Sequence, residues 1–385
     1  MNTINTRSAL TALIIGHVAG MIDLAALPLW VNTLIAGYGY GPAMAGLLPT
    51  TFLASVVVAS VALSRRVKAA NGRRLAPIGY WIAAAALLLV PFTRIYAAHL
   101  VLHLIGGLSI GVALSSVHRA MGQTTNPHRS FSYAGMGFGI FSLFFLGGVP
   151  QLINVFGPDT FFYAAGLTML CAALATTAAM PMTASRQPKA IIARQAPLPR
   201  SVPLAIAGIV GMALVQAMVF SFLVQVGSAH GFEPGKIEGV LIVLGVVNLF
   251  PPMLAAFLDK RLSPIAVARA GSVIQGALAL TIMLSPAFGG YAFAAAFFAG
   301  VMIFTHTFIF GFLAREDASG RAVAATPAML MTGSAIAPFL GGALVQMAGY
   351  SAIGIAAAAI AVVCCLLFWS AARNAGFVDP AKVAT

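Results

Sequence analysis

Charged residues are scarce in this sequence of 385 residues. Asp, Glu, Lys and Arg make up 8% of it, against about 25% in typical soluble domains. Hydrophobic residues make up 60%, and they form continuous runs of about 20 residues, the length that a helix needs to cross a bilayer. The composition therefore excludes an ordinary soluble domain and predicts an all-α membrane protein.

The formal net charge of +13 does not indicate nucleic-acid binding. The basic residues lie in short loops between apolar runs, which is the distribution that membrane orientation requires. We therefore expect no nucleic-acid partner and a close association with the lipid bilayer.

Motifs for ATP hydrolysis and metal chemistry are also missing. The sequence has no G-x-x-x-x-G-K-[ST] phosphate loop and no H-E-x-x-H zinc helix. The three cysteines, Cys171, Cys364 and Cys365, lie inside apolar runs without metal-ligand spacing. We expect no enzymatic activity, no cofactor and no bound metal.

Twelve apolar segments are long enough to be membrane spans, numbered 1 to 12 in chain order. The predicted spans are residues 8–35, 43–63, 75–93, 95–117, 131–154, 160–181, 202–227, 237–258, 264–285, 290–313, 325–347 and 351–372. With the N-terminus placed inside, nineteen of the 21 basic residues fall in inner segments and only Arg94 and Lys236 in outer loops. This asymmetry predicts that both termini are cytoplasmic.

The longest polar connection, residues 182–200, contains four basic residues and three prolines and separates six spans from six. We interpret residues 1–181 and 201–372 as two six-helix bundles joined by a cytoplasmic linker, with residues 373–385 as a cytoplasmic tail. Two six-span halves in the same orientation are typical of a parallel internal repeat. A basic loop follows span 2, and another follows span 8 at the equivalent place in the second half.

These two loops carry short motifs that resemble the major facilitator superfamily. The family pattern G-x-x-x-D-R-x-G-R-[RK] ends here in Gly72, Arg73 and Arg74, but Ala69 and Ala70 stand where the family has Asp-Arg. The second-half loop keeps Asp259, Lys260 and Arg261. The resemblance implies that these conformational loop residues pair with each other across the cytoplasmic side. The alternative is that the arginines simply orient the protein in the membrane.

Spans 4 and 5 extend the resemblance. His103 occupies the place of the arginine in the family's R-x-x-x-G motif, with Gly107 following, which implies a role in proton coupling; a hydrogen-bonded histidine between helices is the alternative. Span 5 contains six glycine or proline residues that partly match the antiporter motif, Gly135, Gly137, Gly139, Gly147, Gly148 and Pro150. Close helix packing explains this pattern equally well.

The strongest mechanistic signal is Asp23, near the middle of span 1. We expect it to be the only acid inside a span, and intramembrane acids usually face protein or a water-filled cavity and serve a function. The resemblance places spans 1, 4, 7 and 10 around a central cavity, and polar residues lie deep in each of them. We predict that Asp23, His103 and His306 couple protons, and that Asp23 faces Gln216. The candidate cavity residues are His17, Trp30, Asn32, His99, Gln216, Phe220, Gln225 and Asn248.

The sequence therefore predicts a secondary transporter of the inner membrane that moves a small organic molecule by alternating access. Proton-coupled efflux is the favoured function, and proton-coupled import, a passive channel and a non-transporting sensor are the alternatives. Because no Lys or Arg lies deep in a span, the substrate is expected to be neutral, zwitterionic or cationic. The expected partners are this substrate, protons and lipid, and we expect a monomer.

Overall fold

The computed structural model of the protein describes residues 6–65, 72–182, 198–317, 322 and 326–375. Twelve helices in this part of the chain are long and apolar enough to cross a membrane, which confirms the predicted all-α membrane fold. Most of the predicted linker and tail, together with Ala69 and Ala70, lie outside the described residues.

The helices agree with the predicted spans to within a few residues. Their bounds are Arg7–Gly37 (span 1), Pro42–Arg65 (2), Gly72–Phe92 (3), Tyr96–Met121 (4), Pro127–Phe156 (5), Thr160–Ala179 (6), Ser201–Ser221 continued by Leu223–Ala229 (7), Pro234–Leu258 (8), Pro264–Leu284 (9), Phe288–Glu316 (10), Thr326–Ala348 (11) and Tyr350–Asn374 (12). We call the end where span 1 begins and span 12 ends the near end, and the opposite end the far end.

Local sequence explains several of the helix ends. Span 5 begins four residues before its predicted start because the Asn126 side chain accepts a hydrogen bond of 3.0 Å from the backbone N–H of Arg129. Four glycines with φ between 72° and 89° form far-end turns, where other residues would be strained. They are Gly39 and Gly231, which follow spans 1 and 7, and Gly157 and Gly349, which follow spans 5 and 11.

Three spans are interrupted within the membrane. Span 1 breaks at Met21 (φ −106°, ψ 11°) and span 7 at Phe222 (φ −107°, ψ 10°), so the first spans of the two halves share the same local backbone. Span 8 breaks over residues 248–250, directly before Pro251. Proline removes a backbone hydrogen bond and crowds the preceding turn, which explains the third break.

Helix packing repeats with a shift of six spans. Span 4 packs against spans 2 and 3, and span 3 against span 6; likewise span 10 packs against spans 8 and 9, and span 9 against span 12. Spans 1 and 7 each contact the last two spans of their own half. Between the halves, span 2 packs against span 11, span 5 against span 8, and span 1 against span 7. Such repetition is expected of a parallel repeat.

A polar cluster joins the far-end loops of the first half. The Arg94 guanidinium donates two hydrogen bonds, of 3.2 and 3.0 Å, to the Asp159 carboxylate, and the Tyr38 hydroxyl donates a third of 2.7 Å. The hydrogen bond to Asp159 raises the pKa of Arg94, and burial followed by the contact with Asp159 raises the pKa of Tyr38. Because these three residues belong to three different loops, the cluster ties those loops together.

Candidate transport site

Asp23 lies at an interrupted helix inside the membrane. Asp23 is 2% exposed. It is the second residue of the helical segment Ile22–Asn32, which follows the break at Met21. Asp23 therefore lies in the first turn of this segment. The free N–H groups and the dipole of a helix N-terminus favour negative charge. The break therefore gives this acid a local polar environment.

His103 belongs to a closed hydrogen-bond network rather than to the surroundings of Asp23. Its Nδ1 donates to the carbonyl of His99 at 2.7 Å, and its Nε2 accepts from Trp30 Nε1 at 3.2 Å. This pattern fits a neutral imidazole with both nitrogens satisfied. Trp30 is seven residues beyond Asp23, which is about 10 Å along a helix axis. The predicted proton-coupling residues Asp23 and His103 are thus not in hydrogen-bond contact.

His99, a predicted cavity residue, continues the same network toward the far end. Its Nε2 lies 3.1 Å from the carbonyl of Val90 and 3.0 Å from that of Thr93, and its Nδ1 lies 2.9 Å from the Tyr40 hydroxyl. The His99 ring therefore connects the turn between spans 3 and 4 to the loop after span 1 by hydrogen bonds. The geometry fits the alternative of a structural histidine.

The other two candidate histidines occupy separate places. His306 Nδ1 lies 2.9 Å from the Met302 carbonyl of its own helix, and its ring packs against Phe310. His17 Nδ1 lies 2.9 Å from Nε2 of His118, a pair between spans 1 and 4. His118 was not predicted because the predicted span 4 ended at residue 117, four residues before the helix ends at Met121.

Two predicted cavity residues meet across the halves. Gln225 in span 7 donates to Asn32 in span 1 at 2.8 Å, and the Tyr350 hydroxyl of span 12 lies 3.4 Å from the carbonyl oxygen of Gln225. The contact lies in the far half of the membrane, since Asn32 is close to the end of span 1. Trp30 and Phe220 are both buried.

Gln216 and Asn248 are two further predicted cavity residues, and both belong to the second half. The Gln216 carbonyl oxygen lies 3.4 Å from Nε2 of Gln275 in span 9, so its amide contacts span 9, whereas the prediction placed it opposite Asp23. Asn248 lies at the break in span 8, where its buried Oδ1 has no hydrogen-bond partner. A buried polar atom without a partner costs free energy.

The loop-motif residues lie at the near end. Gly72 begins span 3 and is buried, while Arg73 and Arg74 are exposed. Asp259, Lys260 and Arg261 are all exposed, and the Arg261 guanidinium lies 5.5 Å from the ring centre of Phe257. The described ion pairs join Arg94 to Asp159 and Lys236 to Glu233, so no charge pair between these loops is seen within the described residues.

Glu238 is a second acid within a span, which corrects the expectation that Asp23 would be the only one. It lies in the first turns of span 8 and accepts hydrogen bonds from Gln151 at 2.5 Å and Asn154 at 2.8 Å, both in span 5. Glu238 already lay inside the predicted span 237–258, so the sequence alone could have identified it as an acid within a span. The contact joins the two halves at the far end.

Spans 2 and 11 approach each other closely in the far half of the membrane. The Phe339 backbone N–H donates to the Thr50 hydroxyl at 3.0 Å. A side chain at Gly46 would overlap the Pro338 carbonyl, and one at Gly342 would overlap the Pro42 carbonyl. Small residues allow such backbone contact between membrane helices.

A sequence motif that some hydrolases use occurs in span 4. Residues 107–111 form a G-x-S-x-G sequence, but they lie within the continuous helix Tyr96–Met121 and not on the strand-to-helix turn of a nucleophile elbow. Among the described residues, no group of three His, Cys, Asp or Glu side chains could hold a metal ion.

Comparison with known proteins assigns the fold to one family. The profile of the Major Facilitator Superfamily matches residues 12–314, whereas no curated protein matches the sequence. Similar solved structures include the nucleoside transporter NupG (TM-score 0.71, 14% identity, 97% of this chain and 100% of that chain covered). A bacterial homologue of the human lysosomal transporter Spinster, inward-facing and occupied, has a TM-score of 0.72 at 14% identity over 95% and 96% of the chains.

A third similar structure, the human organic anion transporter MFSD10, has a TM-score of 0.66 and 12% identity, covering 94% of this chain and 99% of that chain. These identities establish likeness of fold alone. The family profile, however, extends over well more than half of the chain and agrees with twelve spans that pack in a six-span repeat. This multi-pass membrane protein belongs to the Major Facilitator Superfamily.

Proposed function

We propose that this protein exports a small organic molecule in exchange for protons. Membership of the superfamily implies secondary transport rather than enzymatic activity; the coupling ion, the direction and the substrate class belong to the proposal. The observation that carries it is Asp23, a buried carboxylate with no hydrogen bond to another side chain among the described residues, at a helix break in the membrane. Broken helices are where transporters of several folds bind substrates and coupling ions.

In this mechanism Asp23 alternates between two states. Its carboxylate binds a proton when the site faces one side of the membrane and releases it when the site faces the other. A cationic or zwitterionic substrate would then compete with the proton for the same charge. Among the described residues no Lys or Arg is buried, which fits such a substrate better than an organic anion.

Alternating access would rock residues 1–181 against residues 201–372. The contacts of Asn32 with Gln225, of Gln151 and Asn154 with Glu238, and of Thr50 with Phe339 all lie in the far half of the bundle. With the termini in the cytoplasm, as the basic residues predict, these contacts would form the outward gate. The His103 network would keep the first half rigid while it moves.

The experiment begins with a ligand. A thermal-shift screen of the purified protein at pH 5.5 and pH 8 identifies compounds that stabilise it, because a ligand at 100 times its dissociation constant adds about 2.7 kcal/mol. The hit is then tested in proteoliposomes that contain a pH-sensitive dye. Under antiport, substrate entering the liposomes drives protons out of them.

The decisive variant is Asp23→Asn, with Glu233→Gln as its control. Both replace an acid by its amide, but Glu233 is an exposed far-end residue paired with Lys236. We expect Asp23→Asn to abolish proton movement at normal expression and thermal stability, and the control to retain it. Unchanged proton-coupled transport by Asp23→Asn would refute the proposal. Protons moving with the substrate would indicate symport, flux that ignores the pH gradient a channel, and binding without flux a sensor.

A further inference from the structure

An apolar crevice opens on the outer surface of the second half, between spans 8, 9 and 10. Its volume is about 710 Å³, within the range of small-molecule sites. Residues of spans 8, 9 and 10 line it. Phe250 and Leu254 of span 8 and Ile274 of span 9 line it and are 59%, 51% and 48% exposed. This exposure on membrane-spanning helices places the crevice against lipid.

The break in span 8 creates this opening. Pro251, directly after the break, lines the crevice together with Val247 before it. The lining from the other two spans includes small residues, Ala266 and Ala270 on span 9 and Gly300 on span 10. The shape thus follows from a proline-induced bend opposite residues without large side chains.

The dimensions of the crevice match one leaflet of a bilayer. Its lining on span 9 runs from Ser263 at the near end to Ile274, and the eleven steps between these residues extend about 17 Å along a helix. Half of a hydrocarbon core of about 30 Å is about 15 Å. The crevice therefore extends from the near-end surface to about the middle of the membrane, as one acyl chain does.

Three basic residues are sequence neighbours of the residues that line the near-end part of the crevice. Lys260 and Arg261 directly precede Leu262 and Ser263, which line the crevice, and both basic side chains are exposed. Arg269, on span 9 beside Ala270, is exposed as well, and none of the three has an ion-pair partner among the described residues. Asp259 is the acid of this loop and offsets one of the three positive charges.

We propose that this crevice binds an anionic phospholipid, with one acyl chain between spans 8, 9 and 10 and the phosphate at Lys260 and Arg261. The complementarity is twofold: an apolar channel of one-leaflet length continues into an unpaired basic loop. Basic residues at a membrane surface attract anionic lipids. Bound lipid would pack against the break in span 8.

Native mass spectrometry of the purified full-length protein tests the proposal. The probes are phosphatidylglycerol and phosphatidylcholine with identical acyl chains, titrated separately. We expect phosphatidylglycerol to bind at least about tenfold more tightly, and Lys260→Gln with Arg261→Gln to remove most of that difference. Equal affinities for the two lipids in the unmodified protein would overturn the proposal.

The control and the second variant test the two parts of the site. Arg373→Gln serves as control, because Arg373 also lies at the near end and stacks on an aromatic ring, that of Trp369 at 4.7 Å, but on span 12. It should leave the preference intact. Ala270→Phe should fill the crevice and weaken both lipids; unchanged binding by this variant, with an unchanged unfolding temperature, would show that the chain lies elsewhere and refute the proposal.

Discussion

Single side chains in the first half are fixed by polar contacts that replace water. His103 and His99 use both ring nitrogens within the protein, and Trp30 supplies one of those bonds. A buried polar atom that loses its partner costs about 1–3 kcal/mol. The stability of this bundle should therefore depend on individual hydrogen bonds, in addition to its apolar packing.

Replacing Trp30 by Phe tests this dependence. The change keeps an aromatic ring but leaves Nε2 of the buried His103 without its donor, so we expect a loss of about 1–3 kcal/mol in the free energy of unfolding. Reversible unfolding in mixed detergent micelles measures it. Trp81→Phe is the control, since the Trp81 indole also donates a hydrogen bond, of 3.1 Å to Thr177, but is 43% exposed. An equal loss in both variants would contradict the prediction.

The sequence identified polar residues at depth but not their partners. His103 could be a coupling residue or a structural histidine on spacing alone, because either role places a histidine in an apolar helix. The choice depends on Trp30, 73 positions away in the sequence. For Asp23 the sequence predicted the burial of an acid inside a span. It did not predict the helix break at Met21, because no proline marks that position.

Helices were more predictable than their interruptions. Runs of about 20 apolar residues predicted all twelve spans, because the membrane imposes their length and the pairing of every backbone group. Pro251 directly follows the break in span 8, so this interruption has a local cause that the sequence shows. The breaks at Met21 and Phe222 have no proline at the break itself, and the contacts between spans 2 and 11 join residues that are far apart in the sequence, so neither was predicted.

The close contact between spans 2 and 11 yields a prediction for Gly342→Ala. The added methyl group would overlap the Pro42 carbonyl, so spans 2 and 11 must separate at the far end. Spin labels at Met44 and Met347, after replacement of the three cysteines, report this separation. Both positions are exposed near the far end, at 42% and 83%.

We expect a longer mean distance between these labels in Gly342→Ala. The matched control is Gly148→Ala in span 5, where an added methyl group meets no atom within 4 Å, and its distance distribution should equal that of the unmodified protein. If Gly342→Ala folds normally and keeps the original distribution, the glycine is not what permits the close approach.

At the scale of the whole molecule, the six-span repeat contrasts with unequal chemistry in its halves. Equivalent spans pack alike, and equivalent turns use glycine at positive φ. Yet the first half carries Asp23 and the His103 network, whereas the second half supplies Glu238. Such a division would let one half bind the coupling ion while contacts with the other half set which side is open.

Glu238 is the charged member of the far-end contacts, so Glu238→Gln should favour far-end opening. The carboxylate accepts from both Gln151 and Asn154, and its amide replacement has one acceptor oxygen and an NH₂ group that faces another donor. If the variant destabilises the far-end-closed state by about 1 kcal/mol, the population of the far-end-open state rises about fivefold. The Met44–Met347 spin-label pair measures the shift, with Glu233→Gln as control. Because the variant keeps Asp23, it should still bind substrate. A distance distribution identical to that of the control would show that Glu238 does not stabilise the far-end-closed state.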